Sequence, residues 1–135
     1  MSVQKDSTKT EDSLTVRSIL VVEDDEDLGQ FIVQAIHDET PYQALLAKDG
    51  SQALKFIKTL KPTLFLLDYN LPDMNGLELY DKLHSIEALT NVPAIFMSAR
   101  MPRELVKKHD LIFLSKPFEL DALLKTIDRV ANSTQ

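Results

Sequence analysis

Four runs of consecutive apolar residues, without alternating polar residues, most strongly restrict what this chain can fold into. A short run of this kind is typical of a strand that is covered on both faces, as in a parallel sheet. The runs are Ile19–Val22, Leu64–Leu67, Ala94–Met97 and Leu111–Leu114, and Tyr42–Ala47 is a weaker fifth candidate. We therefore predict five strands, of which the second along the chain has the weakest pattern.

Helical patterns lie between these strands. In the first of them, apolar residues recur with the spacing of one helix face, at Leu28, Phe31, Ile32, Ala35 and Ile36. Further helices are predicted over Ser51–Leu60, Leu77–Ser85, Arg103–Lys108 and Leu120–Ala131. Alternating strands and helices imply parallel strands that are joined by right-handed crossovers, with helices on both faces. We therefore predict an α/β fold, a flavodoxin-like doubly wound five-stranded parallel sheet with strand order 2-1-3-4-5 and a short fourth helix.

The composition is that of an ordinary globular domain, with 44% hydrophobic and 27% charged residues. The chain has no cysteine, which excludes a disulfide framework and a thiolate metal site. Its formal net charge of −6 argues against a nucleic-acid-binding surface, which requires a basic face. No stretch is long and apolar enough to span a bilayer, and no signal peptide is visible, so we expect a cytoplasmic location.

The same patterns divide the chain into three parts. Residues 1–17 are polar and lack a hydrophobic period, so we expect a disordered or loosely ordered N-terminal tail. Residues 18–131 carry all the predicted elements and form one domain, and residues 132–135 are the C-terminal end.

Polar residues follow four of the predicted strands at the point where each strand ends. Glu23 and Asp24 follow strand 1, Asp68 follows strand 3, Ser98 follows strand 4 and Lys116 follows strand 5. A single strand-ending Asp could equally begin an Asp-turn. Polar residues at the carboxyl ends of four parallel strands instead indicate a functional site, because ligands bind at that edge of open α/β sheets.

The loop after Asp68 must turn the chain into the third helix. Pro72 has a fixed φ, and we expect Gly76 to supply conformational freedom just before the helix. Among the remaining acids, Asp25 is expected to be a solvated residue of a helix start, as are the two acids after it, and Asp73 to shape the turn rather than to bind metal.

The histidines and three of the methionines share no motif. Solvated positions on or near helices are expected for His37, His84 and His109. Packing or chance accounts for Met74, Met97 and Met101.

Four segments together resemble the response-regulator receiver domain of two-component signal transduction. They are Val21–Asp24, Asp68–Gly76, Ser98–Ala99 and Lys116–Phe118. The resemblance extends over residues 18–131, and the order and spacing of the segments are highly specific. Because no output domain follows Ala131, we expect a stand-alone, chemotaxis-regulator-like receiver.

The resemblance implies that a histidine kinase or histidine phosphotransfer protein donates a phosphoryl group to Asp68, with Mg²⁺ or Mn²⁺. It implies metal ligation by Asp24, Asp68 and the backbone carbonyl of Asn70, with Glu23 acting through water. Lys116 and Ser98 would stabilise charge on the transferred group. The chain would be a phosphoacceptor rather than an enzyme, catalysing at most its own phosphorylation and dephosphorylation.

The family's switch would consist of Ser98 and Phe113, which alter a protein-binding surface for a downstream target. Direct nucleic-acid binding and membrane insertion are not expected.

The chain departs from the family pattern at Ser98, where threonine is commoner, and its segment between Ser98 and Lys116 is shorter than usual. We expect residues 98–110 to be the most mobile part of the domain.

Three alternative functions remain to be weighed. A degenerate receiver would bind partners without phosphorylation, although the site residues are intact. An aspartyl-phosphate phosphatase would normally need an acid two residues after Asp68, where Asn70 stands. A flavin or nucleotide binder would need a glycine-rich loop after strand 1, where Glu23–Asp27 would repel phosphate.

Overall fold

Strands and helices alternate along the chain in the order that the apolar pattern predicts. The computed structural model of the protein describes residues 17–100, 102–103 and 111–133. Its strands are β1 (Ser18–Val22), β2 (Gln43–Ala47), β3 (Leu64–Asp68), β4 (Ala94–Ser98) and β5 (Ile112–Ser115). Its α-helices are α1 (Glu26–Glu39), α2 (Gly50–Phe56), α3 (Gly76–His84) and α4 (Leu120–Ser133), and Glu87–Leu89 form a short 3₁₀ helix.

The five strands form one sheet in the order β2-β1-β3-β4-β5, and every neighbouring pair is parallel. This confirms the predicted fold class. The order reverses between β1 and β3, where Val22 lies opposite Leu67. The chain therefore leaves both strands at the same edge of the sheet, which is where such folds place their ligands.

Both faces of the central strands are covered, which explains why their sequences do not alternate. In β1, Ile19 and Val21 pack with α1 and α4 on one face, whereas Leu20 and Val22 pack with α2 and α3 on the other. These four side chains are fully buried, whereas Ser18 at the start of β1 is partly buried. Burial of one such side chain stabilises the fold by about 1.5–3 kcal/mol.

The weaker pattern of β2 follows from its position at the edge of the sheet. Only Ala47 is fully buried among its five residues, and the side chain of Leu45 is 40% exposed. β2 is thus covered less completely than the central strands β1 and β3.

The helices α1 and α3 begin at residues that are typical helix N-caps. The Asp25 carboxylate accepts a hydrogen bond from the Leu28 N–H and caps α1, as expected for an acid at a helix start. Asn75 caps α3, and Glu78 returns a hydrogen bond to the Asn75 N–H, which completes a capping box.

Three predictions about local structure are wrong. Helix α2 ends at Phe56 rather than Leu60, because the N–H groups of Lys58 and Thr59 bond three residues back and tighten the last turn. Helix α4 continues beyond Ala131 to Ser133.

The third concerns His84, which is not a solvated helix residue. Its Nδ1 lies 2.8 Å from the carbonyl oxygen of Tyr80, and its Nε2 lies 2.6 Å from that of Val92. The ring also packs against Tyr80, with centroids 4.1 Å apart. As the last residue of α3, His84 turns toward the chain before β4 instead of toward water.

Several predictions fall outside the described residues. These are the tail before Arg17, the short helix over Arg103–Lys108 except for Arg103 itself, and the assignments of Met101 and His109. The predicted mobility of residues 98–110 and the three-part division of the chain stay predictions. Within the described ranges, no helix is long and apolar enough to cross a membrane.

Candidate functional site

The site begins with carboxylates that two neighbouring strands deliver to one edge of the sheet. Glu23 and Asp24 directly follow β1, and Asp68 is the last residue of β3. Oxygen atoms from the three side chains all lie within 4.8 Å of one another. Glu23 and Asp68 are buried, whereas Asp24 is exposed to solvent.

Lys116 supplies a positive charge to this cluster from the chain just after β5. Its Nζ donates a hydrogen bond to Glu23 Oε1 at 2.7 Å and lies 3.5 Å from Asp68 Oδ1. Burial by itself would lower the pKa of Lys116, but the hydrogen bond to Glu23 and the charge of Asp68 outweigh it and raise that pKa. The lysine is therefore held in its charged form.

Glu23 is bonded through both carboxylate oxygens. Besides the bond from Lys116 to Oε1, Oε2 accepts a hydrogen bond from the Asp25 N–H at 3.1 Å. A carboxylate that is 1% exposed requires such partners, because an unpaired buried charge is strongly destabilising. Glu23 thus links the start of α1 to the lysine after β5.

Asp68 is harder to ionise than an ordinary aspartate. Burial and the nearby charge of Glu23 raise its pKa to about 6, against the opposing effects of Lys116 and of the Asn70 N–H. That N–H lies 3.3 Å from Asp68 Oδ1. A cation beside Asp68 would relieve the repulsion and favour the ionised carboxylate.

A tight loop, residues 69–76 and called here the Asp68 loop, returns the chain to the site. The Gly76 N–H donates to the Tyr69 carbonyl oxygen at 2.6 Å, and Asn70 forms an antiparallel bridge with Asn75. A Cβ atom at Gly76 would lie 2.7 Å from the Asp68 carbonyl oxygen. Gly76 is therefore required by this close approach and not by conformational freedom, since no glycine of the chain has a positive φ.

Ser98 and Phe113 lie on the two strands beyond β3. Ser98 is the buried last residue of β4, and its Oγ accepts a hydrogen bond from the Arg100 N–H at 3.0 Å. The Ser98 carbonyl oxygen accepts the Lys116 N–H at 2.8 Å, which ties the ends of β4 and β5 together. Phe113 is half-buried in β5, opposite Phe96 of β4.

Residues 19–128 match the family described as the response regulator receiver domain. The chain belongs to this family. Solved structures share the fold: the match to the chemotaxis protein CheY4 of Vibrio cholerae covers 86% of this chain and 99% of that protein, with a TM-score of 0.80 and 24% identity. The Francisella response regulator 1452 receiver domain covers 88% with a TM-score of 0.77 and 26% identity, again over 99% of its own chain.

Sequence relatives of this receiver domain differ in length. The Bacillus subtilis protein named transcriptional regulatory protein YrkP is 34% identical over 110 residues, which are 78% of this chain but 45% of YrkP. The polar-differentiation response regulator DivK of Brucella anthropi is 26% identical over 115 residues, which are 82% of this chain and 93% of DivK. The chain thus spans about half the length of the transcriptional regulators that it matches and most of the length of DivK.

The donor set of the site fits a hard divalent cation such as Mg²⁺. All three carboxylates offer oxygen ligands, and Mg²⁺ prefers a few carboxylates together with water molecules. Asp24 is exposed to solvent, so an ion and its waters have access to this side of the cluster. The acidic pocket therefore matches the Mg²⁺ chemistry of the family.

The structure brings Glu23, Asp24, Asp68 and Lys116 together as predicted and places Ser98 at the end of the adjoining strand. Asp73, which was expected to shape the turn, makes contacts that sequence reasoning missed. The Asp73 carboxylate accepts hydrogen bonds from the N–H groups of Gly50 and Ser51, both at 2.9 Å. These partners are more than 20 residues away along the chain, and no sequence pattern connects them with Asp73.

Proposed function

We propose that this receiver domain accepts a phosphoryl group on Asp68 from a histidine kinase or a histidine phosphotransfer protein, with Mg²⁺. The observation that carries the proposal is the position of Asp68, buried at the carboxyl end of β3 with two further carboxylates and one ammonium group around it. The domain would catalyse only its own phosphorylation and dephosphorylation.

In the transfer step, one carboxylate oxygen of Asp68 attacks phosphorus of the phosphohistidine. A P–O bond forms, the P–N bond breaks, and the imidazole leaves with the electron pair and takes up a proton from solvent. The product is an acyl phosphate on Asp68. Because only the ionised carboxylate is nucleophilic, the groups that favour ionisation of Asp68 favour the reaction.

Asp24, Asp68 and the backbone carbonyl of Asn70 would hold the metal ion, and Glu23 would contact it through water. Mg²⁺ or Mn²⁺, when bound, offsets negative charge on the carboxylates and on the phosphoryl oxygens. The exposure of Asp24 supports its role as the ligand that an ion meets first.

Lys116 and Ser98 would act directly on the phosphoryl group. Lys116 Nζ is already 3.5 Å from Asp68 Oδ1 and can reach a phosphoryl oxygen attached to Asp68. The Ser98 hydroxyl accepts the Arg100 N–H, and its own proton would be donated to a second phosphoryl oxygen.

Signalling would follow from the movement of Ser98. Because Ser98 Oγ is bonded to the Arg100 backbone, a shift of the hydroxyl toward the phosphoryl group would also move the chain after β4. Phe113, whose ring is half-buried in β5, would follow by moving to a more buried position. A downstream target protein would recognise the changed surface. Nucleic-acid contact or membrane insertion is not part of this proposal.

Incubation with acetyl phosphate followed by mass spectrometry tests the chemistry. We expect one added phosphoryl group, only with Mg²⁺ or Mn²⁺ present, and none in Asp68→Asn, whose amide is not a competent nucleophile. Asp27→Asn, which alters an exposed acid of the first turn of α1, is the control and should react normally. Labelling of Asp68→Asn would refute the assignment, and no labelling of the wild type would favour a degenerate receiver.

A further inference from the structure

The Asp68 loop is fastened at its base and at its tip. At the base, the Gly76 N–H bonds to the Tyr69 carbonyl oxygen, and Asn70 bridges to Asn75. At the tip, the loop contacts the start of α2 through Asp73. The segment that carries Asn70 therefore lies between two points of attachment.

The contact at the tip is specific in its geometry. Asp73 Oδ1 accepts the Gly50 N–H and Oδ2 accepts the Ser51 N–H, each at 2.9 Å. N–H groups at the start of a helix have no partner within the helix, so the carboxylate satisfies two of them. Burial by itself would raise the pKa of Asp73, but hydrogen bonds from the Gly50 and Ser51 N–H groups and from the Ser51 side chain together outweigh it and hold that pKa below the usual range.

Met74 also packs against the start of α2, next to the contact made by Asp73. A Cβ atom at Gly50 would lie 2.6 Å from Met74 Sδ, so the methionine side chain occupies the space that glycine leaves open. The tip of the Asp68 loop thus fits α2 through one polar and one apolar contact, made by adjacent residues.

We propose that Asp73 is a positioning residue for phosphoryl transfer, because it holds the Asp68 loop against α2 and thereby sets the place of Asn70. Two backbone groups of Asn70 belong to the site. Its N–H donates to Asp68 Oδ1, and its carbonyl oxygen is the proposed backbone ligand of the metal ion. This inference therefore rests on the function proposed above. Pro72, with its fixed φ, stiffens the connection between Asn70 and Asp73. In the part of the chain that the structure describes, the hydrogen bonds of the Asp73 carboxylate go to Gly50 and Ser51 and not to Asp24, Asp68 or Asn70.

The chain offers a matched control for this proposal. Asp49 is a second carboxylate at the start of α2, and it accepts the Gln52 N–H at 2.8 Å. Asp49→Ala removes the same charge and a cap from the same helix, but it leaves the contact between the helix and the loop in place. Asp73→Ala removes that contact.

The experiment compares the two variants in Mg²⁺ affinity by titration calorimetry, in melting temperature, and in hydrogen exchange of the Asn70 N–H without Mg²⁺. We expect Asp73→Ala to bind Mg²⁺ about tenfold more weakly, as is usual for loss of a group that orients a ligand. Its Asn70 N–H should exchange faster. Asp49→Ala should lose similar thermal stability while keeping wild-type Mg²⁺ affinity and Asn70 exchange. Asp73→Asn, which retains one acceptor oxygen, should lie between Asp73→Ala and the wild type.

Equal losses of Mg²⁺ affinity in Asp49→Ala and Asp73→Ala would overturn the proposal, because Asp73 would then merely stabilise the helix. Should Asp73→Ala fail to fold, Asp73→Asn takes its place in the comparison. Hydrogen exchange without Mg²⁺ keeps this test separate from the function itself. If the wild type accepts no phosphoryl group, faster Asn70 exchange in the Asp73 variants alone still supports the positioning role, and unchanged exchange refutes it.

Discussion

Lys116 Nζ lies 2.7 Å from Glu23 Oε1 but 3.5 Å from Asp68 Oδ1. The lysine is thus bound by the buried acid of β1 more closely than by the proposed phosphoacceptor. This arrangement keeps the ammonium group beside Asp68 without forming a short ion pair that the incoming phosphoryl group would have to break. Glu23 therefore has a positioning role toward Lys116 in addition to its proposed contact with metal-bound water.

The first prediction concerns this ion pair. Lys116→Met should lower the free energy of unfolding by about 1–3 kcal/mol, because Glu23 is left buried without its charged partner. Adding Glu23→Gln should recover part of the loss, which a double-mutant cycle in urea would measure. Lys125→Met is the control: its exposed pair with Asp121, at 3.2 Å, should be worth less than about 1 kcal/mol. Additive effects of the two buried substitutions would show that the pair is not coupled.

The second prediction concerns metal binding. Mg²⁺ at a hundred times its dissociation constant should raise the free energy of unfolding by about 2.7 kcal/mol, since the ion binds only the folded cluster. The increase should nearly vanish in Asp24→Ala, measured by the midpoint of urea unfolding with and without Mg²⁺. Asp27→Ala removes an exposed acid outside the cluster and should respond like the wild type. A full response in Asp24→Ala would place the ion elsewhere.

The third prediction concerns pH. The pKa of Asp68 is raised to about 6 from 3.8, first by burial and then by Glu23, so the folded protein binds this proton more tightly than the unfolded chain. With Mg²⁺ removed, the contribution of Asp68 to stability should fall as pH rises through this window and stay low above it. Other acids titrate there too, so the quantity to measure is the difference between wild type and Asp68→Asn. The amide variant should be the more stable at pH 7, and its advantage should shrink toward pH 4. An advantage that does not change with pH would contradict the raised pKa.

With Mg²⁺ bound, the wild type should instead be more stable than Asp68→Asn at pH 7, because the ion binds the ionised carboxylate of Asp68. The affinity of the wild type for Mg²⁺ should therefore weaken as pH falls below about 6, the value to which the pKa of Asp68 is raised.

Much of the site could be predicted from sequence because it follows from strand ends. Once Leu64–Leu67 is recognised as a strand covered on both faces, the residue after it must appear at the carboxyl edge of the sheet. The same logic applies to Glu23 after β1 and to Lys116 after β5. Parallel pairing then brings these ends together without any further information from the sequence.

Contacts between distant loops and helices could not be predicted in this way. The interaction of Asp73 with Gly50 and Ser51 depends on how the Asp68 loop packs against the start of α2. Neither segment has a sequence pattern that indicates contact with the other. The sequence predicts that Gly76 supplies conformational freedom, but glycine is needed there because of the nearby Asp68 carbonyl oxygen, which only the folded chain reveals. The end of α2 at Phe56 likewise reflects turn hydrogen bonds that helix periodicity does not encode.

The last prediction concerns His84, whose inward position the sequence did not indicate. Its two ring nitrogens lie against the carbonyl oxygens of Tyr80, within α3, and of Val92, just before β4. The ring also meets Phe65 of β3 edge-on, with centroids 6.0 Å apart. His84 thus joins the end of α3 to the chain that enters β4.

His84→Phe keeps an aromatic ring against Tyr80 and Phe65 but removes the ring nitrogens that face the two carbonyl oxygens. We expect it to lower the free energy of unfolding by about 1–3 kcal/mol, because the partly buried carbonyl oxygen that accepts the ring N–H loses this donor. His37→Phe is the matched control: exposed His37 accepts only the Ala44 N–H in its described contacts, and this change should stay within about 0.5 kcal/mol. Urea unfolding measures both. Equal effects of the two substitutions would mean that the His84 contacts contribute no more than an exposed histidine does, and that the junction between α3 and β4 is held by apolar packing alone.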